Sequence, residues 1–531
     1  MLHGWTCEGI RKVMNAIELN VFNSRVEAIC DEMGMVLKRT AFSPNIKDRL
    51  DFSCAVFDAS GQLCAQAAHI PVHLGSMAYA MNDIVERVSW VEGDMMVMND
   101  PFLGGTHLPD VTLIAPVFFD GVLVAFVANR AHHANIGASV PGSMPVSCTL
   151  EEEGVLIKPQ LLIEAGVNSA EVWGLLTFAG ESEGGEQFGD FQAQVSANYA
   201  GVQGLSVLIS ELGAEGFVAG IVELNDYARR LACASLLKLP DGRFEFEDVM
   251  DSDGFGETAL SIHLVLVVQS GQVTLDFTGT AGQTKGNINC PMSVTAAAVY
   301  YVFRCLMPVQ TPACAGTFDA IKMLAPKGSL INALSPSAVA AGNVETSTRL
   351  VDVVLGALAK AVPELVPAAS QGTMNNVAMG ARNKDSQWDY YETIAGGMGA
   401  SKCLDGLAAV QSHMTNTLNT PIESLETHYP LRILKYQVRR GSGGGGMSKG
   451  GDGVTKQYHF NESATVTLLT ERRISAPWGV SGGAPASVGE NFLNGERVGD
   501  KQQCNVLAGD VLEINTPGGG GWGDQNNSRL I

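Results

Sequence analysis

Asp120-Gly121 is the pair that most restricts how this chain can fold. A two-residue type I′ turn needs positive φ at both central positions, and Asp-Gly meets that demand. Apolar runs flank it, DVTLIAPVFF at 110–119 and VLVAFVA at 122–128, so the segment reads as an antiparallel hairpin. With 120 and 121 as the loop, 119 faces 122 and paired positions sum to 241, which puts Asp110 opposite Ala131 and His107 opposite Ala134. The open end therefore gathers His107, Asp110, His132 and His133 within the ~5 Å spacing of neighbouring strands. In the ideal register Asp110 and His133 share a face. A bulge near Pro109 or Asn129-Arg130 would exchange the two histidines, because a one-residue slip turns every side chain over. Either histidine can be the one that joins Asp110.

Imidazole nitrogen with carboxylate oxygen suits Zn²⁺, Mn²⁺ or Fe²⁺, and Gly104-Gly105 and Gly137 would let the backbone bend closely around such a centre. A further carboxylate can come from Asp51, at the head of the strand Phe52–Phe57, or from Asp48. His69 and His73, in AHIPVHLG, fit core or helix-start positions better than ligand positions. Asn99, Asp100 and Asn135 are candidates for touching a substrate. Cys54 and Cys64 lie close by in sequence, but buried reduced thiols are the default for eleven scattered cysteines with no CxxC.

Helical periodicity marks 21–40, 73–88, 293–306 and 345–362, together with 189–239 interrupted near Gly213 and Gly216. Strands are expected at 243–250, 260–268 and 273–277, the last two joined at Ser270-Gly271. The final 160 residues or so lean toward strand and are rich in glycine, of which the chain has 60. These features predict an α+β fold. An N-terminal helical and hairpin unit, residues 1–240, carries the candidate metal site, and a sheet-rich, glycine-rich unit follows at 241–531 across a soft boundary near Pro240.

The glycine clusters do not make a nucleotide loop. GSGGGGMSKGGDG at 441–453 lacks the GxxxxGK[ST] order that a P-loop needs, so plain structural loops are expected. A net charge of −21 with no basic block disfavours nucleic acid. No apolar run approaches the ~20 residues that span a bilayer, and the first 21 residues have no apolar signal core. The expectation is a soluble, cytoplasmic protein.

SPNIKDRLDFSCAVFDASGQL, AHIPVHLGSM, NDPFLGGTHLPDV and NRAHHANIG resemble the hydantoinase B/oxoprolinase family. The likeness continues through DFTGTAGQTKGNINCP, GNVETSTRLVD, SQGTMNN, HMTNTLNTPIESLE, GGDGV and TPGGGGWG. It departs at GSGGGGMSKGGDG, where the family more often has basic residues before GGDG. The resemblance implies the B-type subunit of an ATP-dependent amidohydrolase opening cyclic amides of the hydantoin, N-methylhydantoin or 5-oxoproline type. An A-type partner with an actin-like ATPase fold would hold ATP and Mg and phosphorylate the ring oxygen. This chain would then act at a divalent metal, Zn or Mn, through a metal-bound water held by His107 and Asp110. The implied ligands are Asp51, His107, Asp110 and His132, with Asp48 and His133 as alternates, in a hetero-oligomer. Rival readings are a subunit of an ATP-dependent ketone carboxylase of the acetone or acetophenone type, a non-catalytic assembly subunit, and a free-standing metallohydrolase.

Overall fold

The computed structural model describes residues 14–67, 70–176, 185–382 and 387–525; His69 and Cys7 lie outside them. An antiparallel seven-stranded sheet contains β1 (Phe52–Asp58), β2 (Leu63–Gln66), β3 (Met95–Met98), β4 (Asp110–Phe119), β5 (Val122–His132), β6 (Gln160–Glu164) and β7 (Val167–Asn168), in spatial order β2-β1-β5-β4-β3-β6-β7. The Asp120-Gly121 turn has φ of 49° and 76°. Phe119 pairs with Val122 and Phe118 with Leu123, as the turn dictates. The register then shifts between Val117 and Phe118, so that Val117 faces Ala125 and Asp110 faces His132. The bulge thus sits beside the turn, not at Pro109 or Asn129-Arg130.

Both faces of this sheet are covered, which is why its strands are apolar on both sides. The helix Ala16–Thr40 buries Phe22, Val26, Ile29, Met33 and Leu37, and a capping box of Asn15 and Glu18 satisfies its first N–H groups. Together with the helix Glu186–Leu212 it packs on Val111, Leu113, Ala115 and Val127. The helix Pro71–Val85 takes the opposite face, where Met77, Met81 and Ile84 meet Ala55, Ile114, Phe126 and Ala128. Alternation along β4 and β5 then assigns Asp110 and His132 to the side of the helix Pro71–Val85.

Beyond the helix Ala214–Leu236, β8 (Gly242–Ser252), β9 (Thr258–Gln269), β10 (Gln272–Asp276) and β11 (Ile321–Leu324) form a second sheet in order β11-β10-β9-β8. Its core is completed by the helices Met292–Cys305 and Ser347–Ala361 and also takes in Ile70, Val72 and Met144 from the first half of the chain. The remaining strands are β12 (Asn376–Arg382), β13 (Gln387–Thr393), β14 (Leu431–Arg439), β15 (Gly453–Phe460), β16 (Ala464–Leu469), β17 (Glu490–Leu493), β18 (Glu496–Val498), β19 (Lys501–Val506) and β20 (Val511–Asn515). They make two sheets, β13-β12-β16-β19 and β14-β15-β20-β17-β18, which share a core of Val377, Met379, Val466, Leu468, Tyr458 and Ile514.

The late glycine clusters bind one another. Gly519 donates to Gly451, Gly444 to Gly519 and Gly451 to Met398, each at 2.9 Å. A Cβ on Gly450 would stand 1.7 Å from the carbonyl oxygen of Gly519. Only side-chain-free backbone approaches this closely. The fold is therefore α+β as expected. Among the described residues, no single helix is long and apolar enough to cross a membrane, and all ten described cysteines are free.

Candidate metal centre

The open end of the hairpin is a buried polar cluster. Asp110 Oδ1 lies 3.0 Å from His107 Nε2 and 3.0 Å from His132 Nδ1. Its Oδ2 accepts from Thr106 Oγ1 at 2.5 Å and Asn343 Nδ2 at 3.3 Å, and stands 3.1 Å from His73 Nε2. All six side chains are buried. Helix Pro71–Val85 begins directly over the cluster and so delivers His73, two residues after its N-terminal proline. One ligand atom each from His107, Asp110 and His132 lies within 4.8 Å of the others.

This donor set fits a divalent ion. His132 Nε2 is buried without a hydrogen-bond partner, and His107 Nε2 meets only the Asp110 carboxylate, at 3.0 Å. An orphaned imidazole nitrogen beside a carboxylate is costly unless something else takes it up. Burial pushes the His132 imidazole below its ordinary pKa and keeps it neutral, as a ligand must be. For Asp110, burial works against the charge, but His107 and His73 overcome it and hold the carboxyl well below the usual carboxylate range. His107 is raised overall: burial lowers it, but the Asp110 charge, that group's hydrogen bond and Ala340 outweigh burial.

The alternates part company. His133 points through the sheet, its Nε2 2.9 Å from Gln194 Oε1 and its ring stacked on Phe191 at 4.2 Å. Asp51 lines the same cavity as Asp110 and His132, and its backbone oxygen accepts from His132 N at 3.0 Å. The Asp51 carboxylate lies outside the 4.8 Å set, with Oδ2 3.8 Å from buried Arg49. Asp48 caps the short helix Pro44–Lys47 and is not in the cavity wall. Asn99, Asp100 and Asn135 are not in it either. Asn99 is consumed by the backbone of Leu108, Val155 and Ile157. Asp100 caps Phe102, and Asn135 accepts from Gly137. Burial pushes the Cys54 and Cys64 thiols up, which removes their nucleophilic form.

Over these same residues the chain matches the hydantoinase B/oxoprolinase family from 15 to 525. It belongs to that family. A plant relative, 5-oxoprolinase 1 of Arabidopsis thaliana, is 39% identical over 96% of this chain, which spans only 42% of that protein's length. Among solved structures, the ATP-dependent caprolactamase of Pseudomonas jessenii superposes with a TM-score of 0.90 at 27% identity, covering 97% of this chain and 92% of its own. A nucleotide-free acetone carboxylase shares the fold, with a TM-score of 0.83 at 18% identity over 95% of this chain and 75% of its own.

Part of this cluster in the hydantoinase B/oxoprolinase chain escaped the sequence reading. His73 was expected in a core or helix-start position, and it occupies the helix start while also facing Asp110. Asn343, Met374 and Met414 line the cavity from the second half of the chain. They lie in stretches that carry the family resemblance, the only signal that marked them. Tyr391, outside those stretches, stacks on His132 at 4.7 Å and donates to Asn376 Oδ1 at 2.7 Å.

Proposed function

We propose that this chain is the metal-bearing part of an ATP-dependent cyclic-amide hydrolase of the hydantoin or 5-oxoproline type. The observation that carries the reading is the buried set His107, Asp110 and His132 with the unpartnered His132 Nε2, in a chain of the hydantoinase B/oxoprolinase family that shares its fold with an ATP-dependent caprolactamase. Asp51 completes the ligand set in this reading by turning away from Arg49. A divalent ion bound there would supply Lewis acidity, which polarises oxygen and lowers the pKa of water.

The protein's own groups do the rest. Asp110 spaces the two imidazoles, and Thr106, His73 and Asn343 fix its second oxygen so that it cannot rotate. Tyr391 holds the plane of His132. Ile70, Val72, Val344, Met374 and Met414 make the cavity wall apolar and keep bulk water from a reactive intermediate. Unactivated lactams resist attack because amide resonance weakens the carbonyl carbon; phosphorylation of the ring oxygen by an A-type ATPase partner removes that resistance. In the longer relatives, a segment outside the matched part would serve as that partner.

The test is reconstitution of the full chain with an A-type ATPase subunit, ATP and a panel of 5-oxoproline, hydantoin and N-methylhydantoin. Ring-opened acid formed together with ADP, and only with both proteins present, is the expected result. Bicarbonate-dependent carboxylation of acetone without lactam opening would replace this reading with the carboxylase one. Turnover by this chain alone, without ATP, would make it a free-standing metallohydrolase.

A further inference from the structure

The cavity wall opposite the hairpin is the turn Gly342–Thr346, a π-helical turn that leads into the helix Ser347–Ala361. Such wider turns recur at functional sites because they rotate one side chain out of helical register. The chain holds this one rigidly. Gly342 N donates to Asn287 O at 3.0 Å, and a Cβ on Gly342 would lie 1.8 Å from Asn289 O. Ser347 Oγ donates to the Asn343 carbonyl.

Asn343 is 3% exposed and lines the cavity. Its Nδ2 donates to Asp110 Oδ2. A carboxylate oxygen accepts, so the amide nitrogen has to face Asp110 and the amide oxygen has to face away from it. That oxygen, Oδ1, is buried with no hydrogen-bond partner among the described residues. It is an acceptor in a fixed direction awaiting a donor. The threonine hydroxyls nearby are occupied with each other, Thr393 with Thr417 at 2.8 Å and Thr415 with Thr417 at 3.4 Å. A ligand therefore meets the ion cluster, one fixed acceptor and apolar walls.

We infer that Asn343 Oδ1 receives the N–H next to the reacting carbonyl, making the site selective for secondary cyclic amides over N-alkylated lactams and ketones. This rests on the cyclic-amide reading above and names the chemical feature of the substrate that the site recognises. A ligand without that N–H leaves the buried oxygen unpaired, and sites built to bond a substrate N–H discriminate strongly for that reason.

Binding of 2-pyrrolidinone, N-methyl-2-pyrrolidinone and cyclopentanone to the full chain, loaded with Zn²⁺ or Mn²⁺ and followed by saturation-transfer NMR, tests this. The secondary lactam should bind about tenfold more tightly than its N-methyl analogue. Asn343→Ala and Asn343→Leu should bring the ratio near one while both retain bound metal by elemental analysis. Equal binding of the two lactams by the unmodified chain overturns the inference and leaves the hydrolase reading standing, as does a ratio that survives both substitutions. If either variant loses its metal, the ratio in the unmodified chain decides alone. No binding by any of the three overturns the inference and leaves that reading to the reconstitution above, whereas cyclopentanone binding in preference to both lactams overturns both.

Discussion

Asp110 and His132 stand directly opposite each other across β4 and β5, with Oδ1 and Nδ1 3.0 Å apart. A one-residue shift between Val117 and Phe118, some seven residues up the hairpin, creates this pairing. Without the shift Ala131 would face Asp110, and His133 would lie on its side of the sheet. The bulge therefore selects which of two adjacent histidines belongs to the cluster.

Elemental analysis should separate the two. The unmodified chain is expected to hold about one divalent ion. His132→Ala and the double change His107→Ala/Asp110→Ala should lose it, whereas His133→Ala should retain it, because that ring faces Gln194 and Phe191. Retention by His132→Ala with loss by His133→Ala would reverse the assignment.

Tyr391 gives a graded pair of variants. Tyr391→Phe keeps the ring on His132 and loses the bond to Asn376, a cost of about 1 kcal/mol by denaturant titration. Tyr391→Ala removes a fully buried ring at a cost of about 3–5 kcal/mol and should also weaken metal retention in a chelator competition. Equal metal retention in the two variants would show that the stacked ring does not orient His132.

Gly450→Ala should be among the most damaging small changes in the last third of the chain. The new methyl would meet the Gly519 carbonyl at 1.7 Å, and that carbonyl is fixed by its own bond from Gly444. A loss of about 3 kcal/mol is expected, readable as a lowered denaturation midpoint. Gly495→Ala, with open space around the Cβ but a φ of 82°, should cost less, about 1 kcal/mol.

Glu345 predicts a pH effect. Burial pushes its carboxyl up to about 8, with Oε1 accepting from Met374 N and Asn376 Nδ2. The unfolded carboxyl titrates near ~4.3. A pKa raised on folding contributes stability that is fully present below the unfolded value and is lost as pH rises through about 8. Glu345→Gln stays neutral throughout. The melting temperature of the unmodified chain should therefore fall relative to that variant between about pH 4 and 8 and level off above it. Parallel curves would show that this carboxyl does not titrate in that window.

Much of the local structure was legible because periodicity and turn chemistry act over short distances. The helix expected at 73–88 is found at Pro71–Val85, and the one expected at 345–362 at Ser347–Ala361 after its π-turn. The break expected near Gly213 is where one helix ends and the next begins, and that residue has a φ of 73°. The expected bulge was misplaced because nothing local distinguishes Val117 from Pro109. Its position answers to how both faces of β4 and β5 pack at once. Substrate contacts were sought at Asn99, Asp100 and Asn135 for nearness in sequence, and those side chains are spent on loop backbone.

From the sequence alone came the Asp120-Gly121 turn, the gathering of His107, Asp110 and the two histidines at its open end, and the family. Only the tertiary structure decided that His132 faces inward, that His73 covers Asp110, and that Asn343, 233 positions away, joins the cavity wall with an unpaired amide oxygen. The reason is physical. A turn specifies its nearest pairs, but side-chain direction in a strand has a period of two, so one inserted residue reverses it. Contacts between distant segments are set by packing that no local pattern records.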